Sequence, residues 1–211
     1  GPAFTLNVAV DTLLKKEFDI HRAAKTTHPL LKHYGVDAVP FDDPHMDIWR
    51  ENFKGVEVVH PATGLTVSGA VDDVWINPKG ELIVVDYKAT SKDGTIETLA
   101  DASWEEQYKR QIGVYQWLLG SLGHKMATTG YFVYANASSD KEAFDGKLEF
   151  EVTLVPSEGD TSWVEPTLQK IKETLESEAI PSRSPECEYC DYREVAGKKL
   201  QQIHHAQKGS N

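Results

Sequence analysis

The chain has 211 residues, and its 22 Lys and Arg against 33 Asp and Glu give a formal net charge of −11. This length corresponds to about one domain, and a hydrophobic fraction of 40% is enough for a buried core, which excludes a disordered chain. The 2 Cys cannot form the framework of a disulfide-rich secreted domain. The negative charge argues against broad, non-specific binding to nucleic acid, but it is compatible with a small acidic site for metal ions.

Membrane association and secretion are not expected from this sequence. No apolar run reaches the ~20 residues that a membrane span requires. Residues 1–7 have neither the charged region nor the long apolar region of a signal peptide. The sequence therefore predicts a cytoplasmic protein.

Hydrophobic spacing predicts helices and strands that alternate along the chain. The predicted helices are residues 6–22, 46–53, 104–122 and 163–177, and the predicted strands are residues 56–60, 65–76, 81–89, 130–135 and 147–154. This order predicts an α/β fold with a mixed central β-sheet flanked by helices. Residues 1–180 are expected to form this core, and residues 181–211 a C-terminal appendage and tail.

The most informative segment is a predicted hairpin that carries two aspartates. Residues 77–80 are Asn-Pro-Lys-Gly, and this combination predicts a turn because Pro fixes φ and Gly supplies a positive φ. Pairing of Asn77 with Glu81 across the turn brings the aliphatic residues of the two strands face to face. In the same register Asp72 lies opposite Asp86, with Cβ atoms about 4.5–5.5 Å apart.

Two carboxylates at that spacing repel each other unless a positive charge lies between them. A divalent cation with oxygen ligands would supply that charge, and Lys88 lies on the same strand face as Asp86. The alternative is a hairpin end whose charged side chains are merely solvated. The apolar run at residues 83–85 argues against this alternative, because such a strand is covered on both faces.

These hairpin residues carry a family resemblance. The order Gly69-x-x-Asp72, a hydrophobic strand and Asp86-x-Lys88 is similar to the motif of the PD-(D/E)XK nuclease superfamily. The resemblance implies a restriction-endonuclease-like core and hydrolysis of phosphodiester bonds with Mg²⁺ or Mn²⁺. It makes the carboxylates of Asp72 and Asp86 and the backbone carbonyl of Tyr87 the metal ligands. It also makes Lys88 the residue that positions water or offsets charge at the phosphate.

A helical pattern further along the chain resembles one particular branch of this superfamily. Tyr108, Gln111 and Tyr115 form a Tyr-x-x-Gln-x-x-x-Tyr sequence that resembles the RecB-like branch, which includes the nucleases of CRISPR adaptation. The resemblance implies that these side chains brace the site or contact DNA. It implies an exonuclease in DNA repair, recombination or CRISPR adaptation, with RNA not excluded as substrate. The alternative is a catalytically silent nucleic-acid-binding or assembly subunit, and no protein partner is identified by the sequence.

The third acidic ligand is left open by the sequence. RecB-like nucleases often place a histidine in an early helix as a further metal ligand. Asp11 occupies the position where that histidine is expected, and it shares a helical stripe with Leu14 and Phe18. Glu17 is its rival.

A Cys-x-x-Cys pair at Cys187 and Cys190 is a possible second metal site, because thiolates at this spacing can bind one soft metal ion. Many relatives carry an iron–sulfur cluster whose other cysteines lie near the N-terminus, where this chain has none. Two cysteines cannot supply four thiolates. A free thiol pair is therefore the favoured interpretation, without zinc or an iron–sulfur cluster.

Overall fold

The computed structural model describes residues 5–98 and 103–208. The helices are α1 (Thr5–Ala24), α2 (Pro29–His33), α3 (Met46–Trp49), α4 (Ser103–Ser121), α5 (Val164–Glu176) and α6 (Glu188–Lys208). The strands are β1 (Val39–Pro40), β2 (Val56–Val59), β3 (Thr66–Gly69), β4 (Asp73–Ile76), β5 (Leu82–Thr90), β6 (Thr129–Ala137) and β7 (Phe150–Glu158). The predicted α/β class is confirmed.

The central sheet has five strands in the order β1-β4-β5-β6-β7. β5 and β6 are parallel, and each of the other neighbouring pairs is antiparallel. The sheet is therefore mixed, as predicted. α4 provides the crossover between the two parallel strands, which cannot be joined by a tight turn. A separate sheet consists of the antiparallel pair β2 and β3.

The predicted strand over residues 65–76 is wrong in its continuity, because the structure divides it into β3 and β4 in different sheets. The last residue of α3 and the residue that follows it bind the backbone at the break. The Val71 N–H donates to the Trp49 carbonyl at 3.0 Å, and Arg50 Nε donates to the Asp72 carbonyl at 2.9 Å. These bonds satisfy backbone groups that a continuous ladder would otherwise pair. The structure also contains α2 and β1, which hydrophobic spacing did not predict.

Both faces of the central sheet are covered by hydrophobic cores. Along β5, Val84 belongs to the core on the α4 side, whereas Val85 and Tyr87 belong to the core on the α1 side. Side chains alternate along a strand, so Asp86 and Lys88 face the same side as Val84. Burial on both faces explains the continuous apolar run that precedes Asp86.

The chain divides into two compact units, Gly1–Gln169 and Lys170–Asn211. The first unit contains both sheets, and the second contains the end of α5 and all of α6. The core over residues 1–180 and the appendage over residues 181–211, which the sequence led us to expect, stay predictions. Within the described residues, no helix combines the length and apolar character needed to cross a membrane.

Candidate active site

The hairpin between β4 and β5 has the predicted register. The Asn77 N–H donates to the Glu81 carbonyl at 3.1 Å, and the strands pair Ile76 with Leu82 and Val74 with Val84. The last pair of the ladder is Asp73 with Val85. Asp72 directly precedes Asp73 in the chain and Asp86 directly follows Val85 on β5, so both aspartates lie at the open end of the hairpin.

Three chain segments hold Asp72 in place. Its Oδ2 atom accepts a hydrogen bond from the Tyr87 N–H at 2.9 Å, and its Oδ1 atom lies 3.3 Å from Lys15 Nζ of α1. Its carbonyl accepts from Arg50 Nε. The carboxylate is thereby fixed beside β5 although Asp72 itself precedes β4.

The carboxylate of Asp86 is buried beside Lys88. Only 1% of the residue is exposed, and burial raises the pKa of its carboxyl to about 7, with the Lys88 charge opposing and the Asp72 and Asp11 charges adding to the rise. The Oδ2 atom forms an ion pair with Lys88 Nζ. Among the described residues it nevertheless accepts no hydrogen bond of good geometry. A buried carboxylate oxygen of this kind is a suitable ligand for a hard cation.

Helix α4 also contacts Lys88. Lys88 Nζ lies 3.4 Å from Gln111 Oε1 and 4.3 Å from the centroid of the Tyr108 ring. Gln111 Nε2 in turn donates to the Tyr115 hydroxyl at 2.9 Å. Tyr115 is 8% exposed, and burial raises its pKa to about 12. Tyr115 thus supports Gln111 from within the core, while contact of Tyr108 and Gln111 with DNA stays a prediction.

The structure distinguishes between the two candidates for a third acidic residue. Asp11 Oδ2 lies 2.9 Å from Lys15 Nζ, and the same ammonium bridges to Asp72. Burial, together with the charge of Asp72, raises the pKa of Asp11. Glu17 instead contacts His28 Nε2 at 3.0 Å. Asp11 therefore shares the Lys15 ammonium with Asp72, and Glu17 does not.

A buried ionic network supports the other face of the hairpin. Asp73 is 0% exposed and forms ion pairs with Arg22 and Arg50. It also accepts from the Tyr87 hydroxyl at 2.7 Å. Burial and the Asp73 charge raise the pKa of Tyr87 well above its ordinary value. The network fixes the two neighbours of the candidate ligands, Asp73 beside Asp72 and Tyr87 beside Asp86.

Three basic residues of the site were missed by the sequence analysis. Lys15 and Arg22 lie on the same stripe of α1 as Asp11 and Phe18. Basic residues on a partly apolar stripe could have identified both as residues of the site. Arg50 has no comparable signal, because it follows a helix of one turn and its partners are distant in sequence.

Some of these side chains line an open cavity of about 430 Å³, whereas the buried Asp86 is not part of its lining. Its polar lining consists chiefly of the residues already described, namely Asp11, Lys15, Arg50, Asp72, Lys88 and Tyr108. Within residues 5–98 and 103–208, no three His, Cys, Asp or Glu residues converge in a metal-binding group. The ammonium groups of Lys15 and Lys88 lie at the carboxylates in this arrangement.

Cys187 and Cys190 lie in the second unit, where Cys187 directly precedes α6 and Cys190 is in its first turn. Both are free thiols. Their mutual hydrogen bond lowers the pKa of Cys187 and raises that of Cys190. The two cysteines are thus near each other, and their use as a second metal site stays a prediction.

The mixed sheet with an acidic hairpin and a lysine on the same face defines a nuclease-type α/β domain. Residues 8–195 match the model of the PD-(D/E)XK nuclease superfamily, and the chain belongs to this superfamily. A search of curated proteins and a search of solved structures each found no significant match. Membership in the superfamily indicates a nuclease, which hydrolyses phosphodiester bonds.

Proposed function

We propose that the protein is a metal-dependent DNA exonuclease of the RecB-like branch, acting in DNA repair, recombination or CRISPR adaptation. The proposal rests mainly on the hairpin between β4 and β5, because Asp72 and Asp86 lie next to its last strand pair and Lys88 forms an ion pair with Asp86. Assignment to the RecB-like branch is supported by Tyr108 and Gln111, because both contact Lys88 from α4.

Asp72 and Asp86 would hold Mg²⁺ or Mn²⁺, with Asp11 as a further acidic ligand. The fit is supported by the buried Asp86 Oδ2, which accepts no hydrogen bond of good geometry from the described residues, and by the oxygen chemistry of the donor set. The Tyr87 carbonyl completes that set. Its N–H points to Asp72, and the N–H and C=O of one strand residue face the same neighbouring strand.

A divalent cation, when bound, would polarise a phosphate oxygen and lower the pKa of a water molecule. Lys88 would add positive charge where the phosphate becomes more negative during the reaction. Gln111 keeps the ammonium in place through the 3.4 Å contact. Lys15 and Arg50 line the same cavity. Their positive charges would attract a phosphate to the cavity, although the net charge of the chain is −11.

The test uses Asp72→Asn and Asp86→Asn, which preserve side-chain size but remove one charge each. Calorimetric titration with Mn²⁺ and cleavage of end-labelled DNA are measured on both variants. We expect weaker Mn²⁺ binding and at least ~100-fold slower cleavage, since a metal contributes several kcal/mol to catalysis. Asp47→Asn, an exposed aspartate of α3, is the matched control and should leave both properties unchanged. Normal cleavage by folded Asp86→Asn would contradict the proposal.

Linear and circular single-stranded DNA of the same sequence separate exonuclease from endonuclease action. An exonuclease degrades only the linear form, and degradation of the circle would contradict that part of the proposal.

A second candidate function is a catalytically silent nucleic-acid-binding or assembly subunit. The ion pairs of Lys15 with Asp72 and of Lys88 with Asp86 favour it, because these ammonium groups already compensate the carboxylates. It predicts that the wild-type protein binds DNA but cleaves none with either Mg²⁺ or Mn²⁺.

A further inference from the structure

A second cavity, of about 570 Å³, opens beside the candidate active site. We call it the loop cavity, because it lies between the start of α1, the end of β5 and the loop over residues 138–149. Asn7, Val10 and Ala89 line both cavities. Because the two cavities share these residues, a ligand in the loop cavity lies next to the candidate active site.

The lining of the loop cavity combines an aromatic surface with positive charge. Phe144 is 74% exposed although it lines the cavity. The charged residues of the lining are Lys141 and Lys147, while the acidic residues of the same loop lie outside it. Lys141 is paired with Glu149 at 2.7 Å, and among the described residues Lys147 forms no ion pair. In a chain of net charge −11, this lining favours an anionic ligand with a flat apolar part.

We propose that the loop cavity binds an unpaired nucleobase of a single-stranded nucleic acid, next to the strand's phosphate at Lys88. This inference rests on the proposed function. Exposed aromatic rings stack on bases of any sequence, and neighbouring lysines attract the phosphate backbone. A base within a duplex has both faces stacked on its neighbours, so it cannot use Phe144 in this way. The volume is within the range of ~300–1,000 Å³ that is usual for small-ligand pockets.

The experiment measures binding of a fluorescent oligo-dT by anisotropy in EDTA, where metal-dependent cleavage cannot occur. Wild-type protein is compared with Phe144→Ala, with Phe144→Tyr and with Lys147→Gln. Because loss of one base–aromatic stack corresponds to about 5-fold or more in Kd, Phe144→Ala should weaken binding by at least that factor. Phe144→Tyr keeps the ring and should bind within about twofold of wild type. Lys147→Gln should weaken binding and reduce its salt dependence by about one phosphate contact.

Lys125→Gln is the matched control for charge. Lys125 is exposed, as Lys147 is. It lies near the turn end of β5, where its carbonyl accepts from the Leu82 N–H. Its replacement should leave oligo-dT binding unchanged. Thermal unfolding of each variant checks that the fold is intact. Because Phe144 is exposed, we expect its substitution to leave the fold intact.

Three outcomes would overturn the inference. They are unchanged oligo-dT binding by Phe144→Ala, equal loss by Phe144→Ala and Lys125→Gln, and an equal effect of Phe144→Ala on a duplex of matched length. A stability loss in Phe144→Ala with unchanged binding would show instead that the ring packs against the chain itself. Failure of the proposed function would give a different result. In that case the protein would show no metal-dependent cleavage, while Phe144-dependent binding of oligo-dT in EDTA would persist.

Discussion

The ring of Tyr115 lies directly against the Cα of Gly69. A Cβ at position 69 would stand only 2.7 Å from Tyr115 Cε1 and 3.4 Å from a methyl carbon of Leu118. Glycine is therefore required here for close approach of a helix, and not for a turn. The contact joins the Gly-x-x-Asp motif to the helical motif, because Tyr115 also bonds to the Gln111 side chain that faces Lys88.

Gly69→Ala should reduce the free energy of unfolding by about 1–3 kcal/mol, since the methyl group would overpack this contact. Urea unfolding followed by circular dichroism measures the change. Gly120→Ala in α4, the helix that carries Tyr115, is the control. Its Cβ would meet Met126 Cγ at an ordinary 3.6 Å, so it should stabilise the protein slightly. If Gly69→Ala is as stable as wild type, the close contact is not rigid.

Asp73→Ala should be among the most destabilising substitutions in the chain. It leaves the guanidinium groups of Arg22 and Arg50 buried without their shared partner, and breaking a buried ion pair costs about 3–5 kcal/mol. Asp19 also contacts both arginines but is 44% exposed, so Asp19→Ala should cost about 1 kcal/mol or less. Equal losses of unfolding free energy in the two variants would contradict this assignment.

The contribution of Asp86 to the stability of the protein should fall as the pH rises from about 4 to about 7 in EDTA. Over this interval the Asp86 carboxyl keeps its proton in the folded protein, where its pKa is about 7, and has lost it in the unfolded chain. The folded state thus binds more protons, and the free energy of unfolding decreases with pH. Urea unfolding at several pH values measures the slope.

Asp86→Asn is the control for this pH dependence, and it should remove the contribution of Asp86 to the slope. Mn²⁺ binding by wild type should strengthen across the same interval, because a ligating carboxylate must be deprotonated. Parallel stability profiles of Asp86→Asn and wild type would show that Asp86 does not retain its proton.

Lys88→Ala should keep the fold and the affinity for Mn²⁺ while losing at least ~100-fold in DNA cleavage under saturating Mn²⁺. The side chain is 19% exposed and reaches the cavity, so it can act on a phosphate or a water molecule. Cleavage assays and Mn²⁺ titration are made on the same preparation. Near-normal cleavage would contradict the role of Lys88. A loss of Mn²⁺ affinity equal to the loss of rate would indicate that Lys88 only neutralises the carboxylates of the site.

The register of the hairpin was predictable because it depends on local chemistry. A turn with Pro and Gly, together with alternating aliphatic residues, allowed one pairing that buries apolar side chains on the same face. Continued by one step, that pairing predicts Asp72 opposite Asp86. The motif helix was also predictable, since the spacing of Tyr108, Gln111 and Tyr115 gives one helical stripe.

The sequence by itself thus determined the α/β class, the hairpin and the helix that faces it, since helical and strand periodicity are properties of neighbouring residues. Only the tertiary structure decided that Asp11 rather than Glu17 lies beside Asp72, and that Arg22 and Arg50 meet at Asp73. These contacts join residues far apart in the chain, and no local pattern encodes them. They arise because buried charges require partners, and packing of α1 against the sheet determines which partners are within reach.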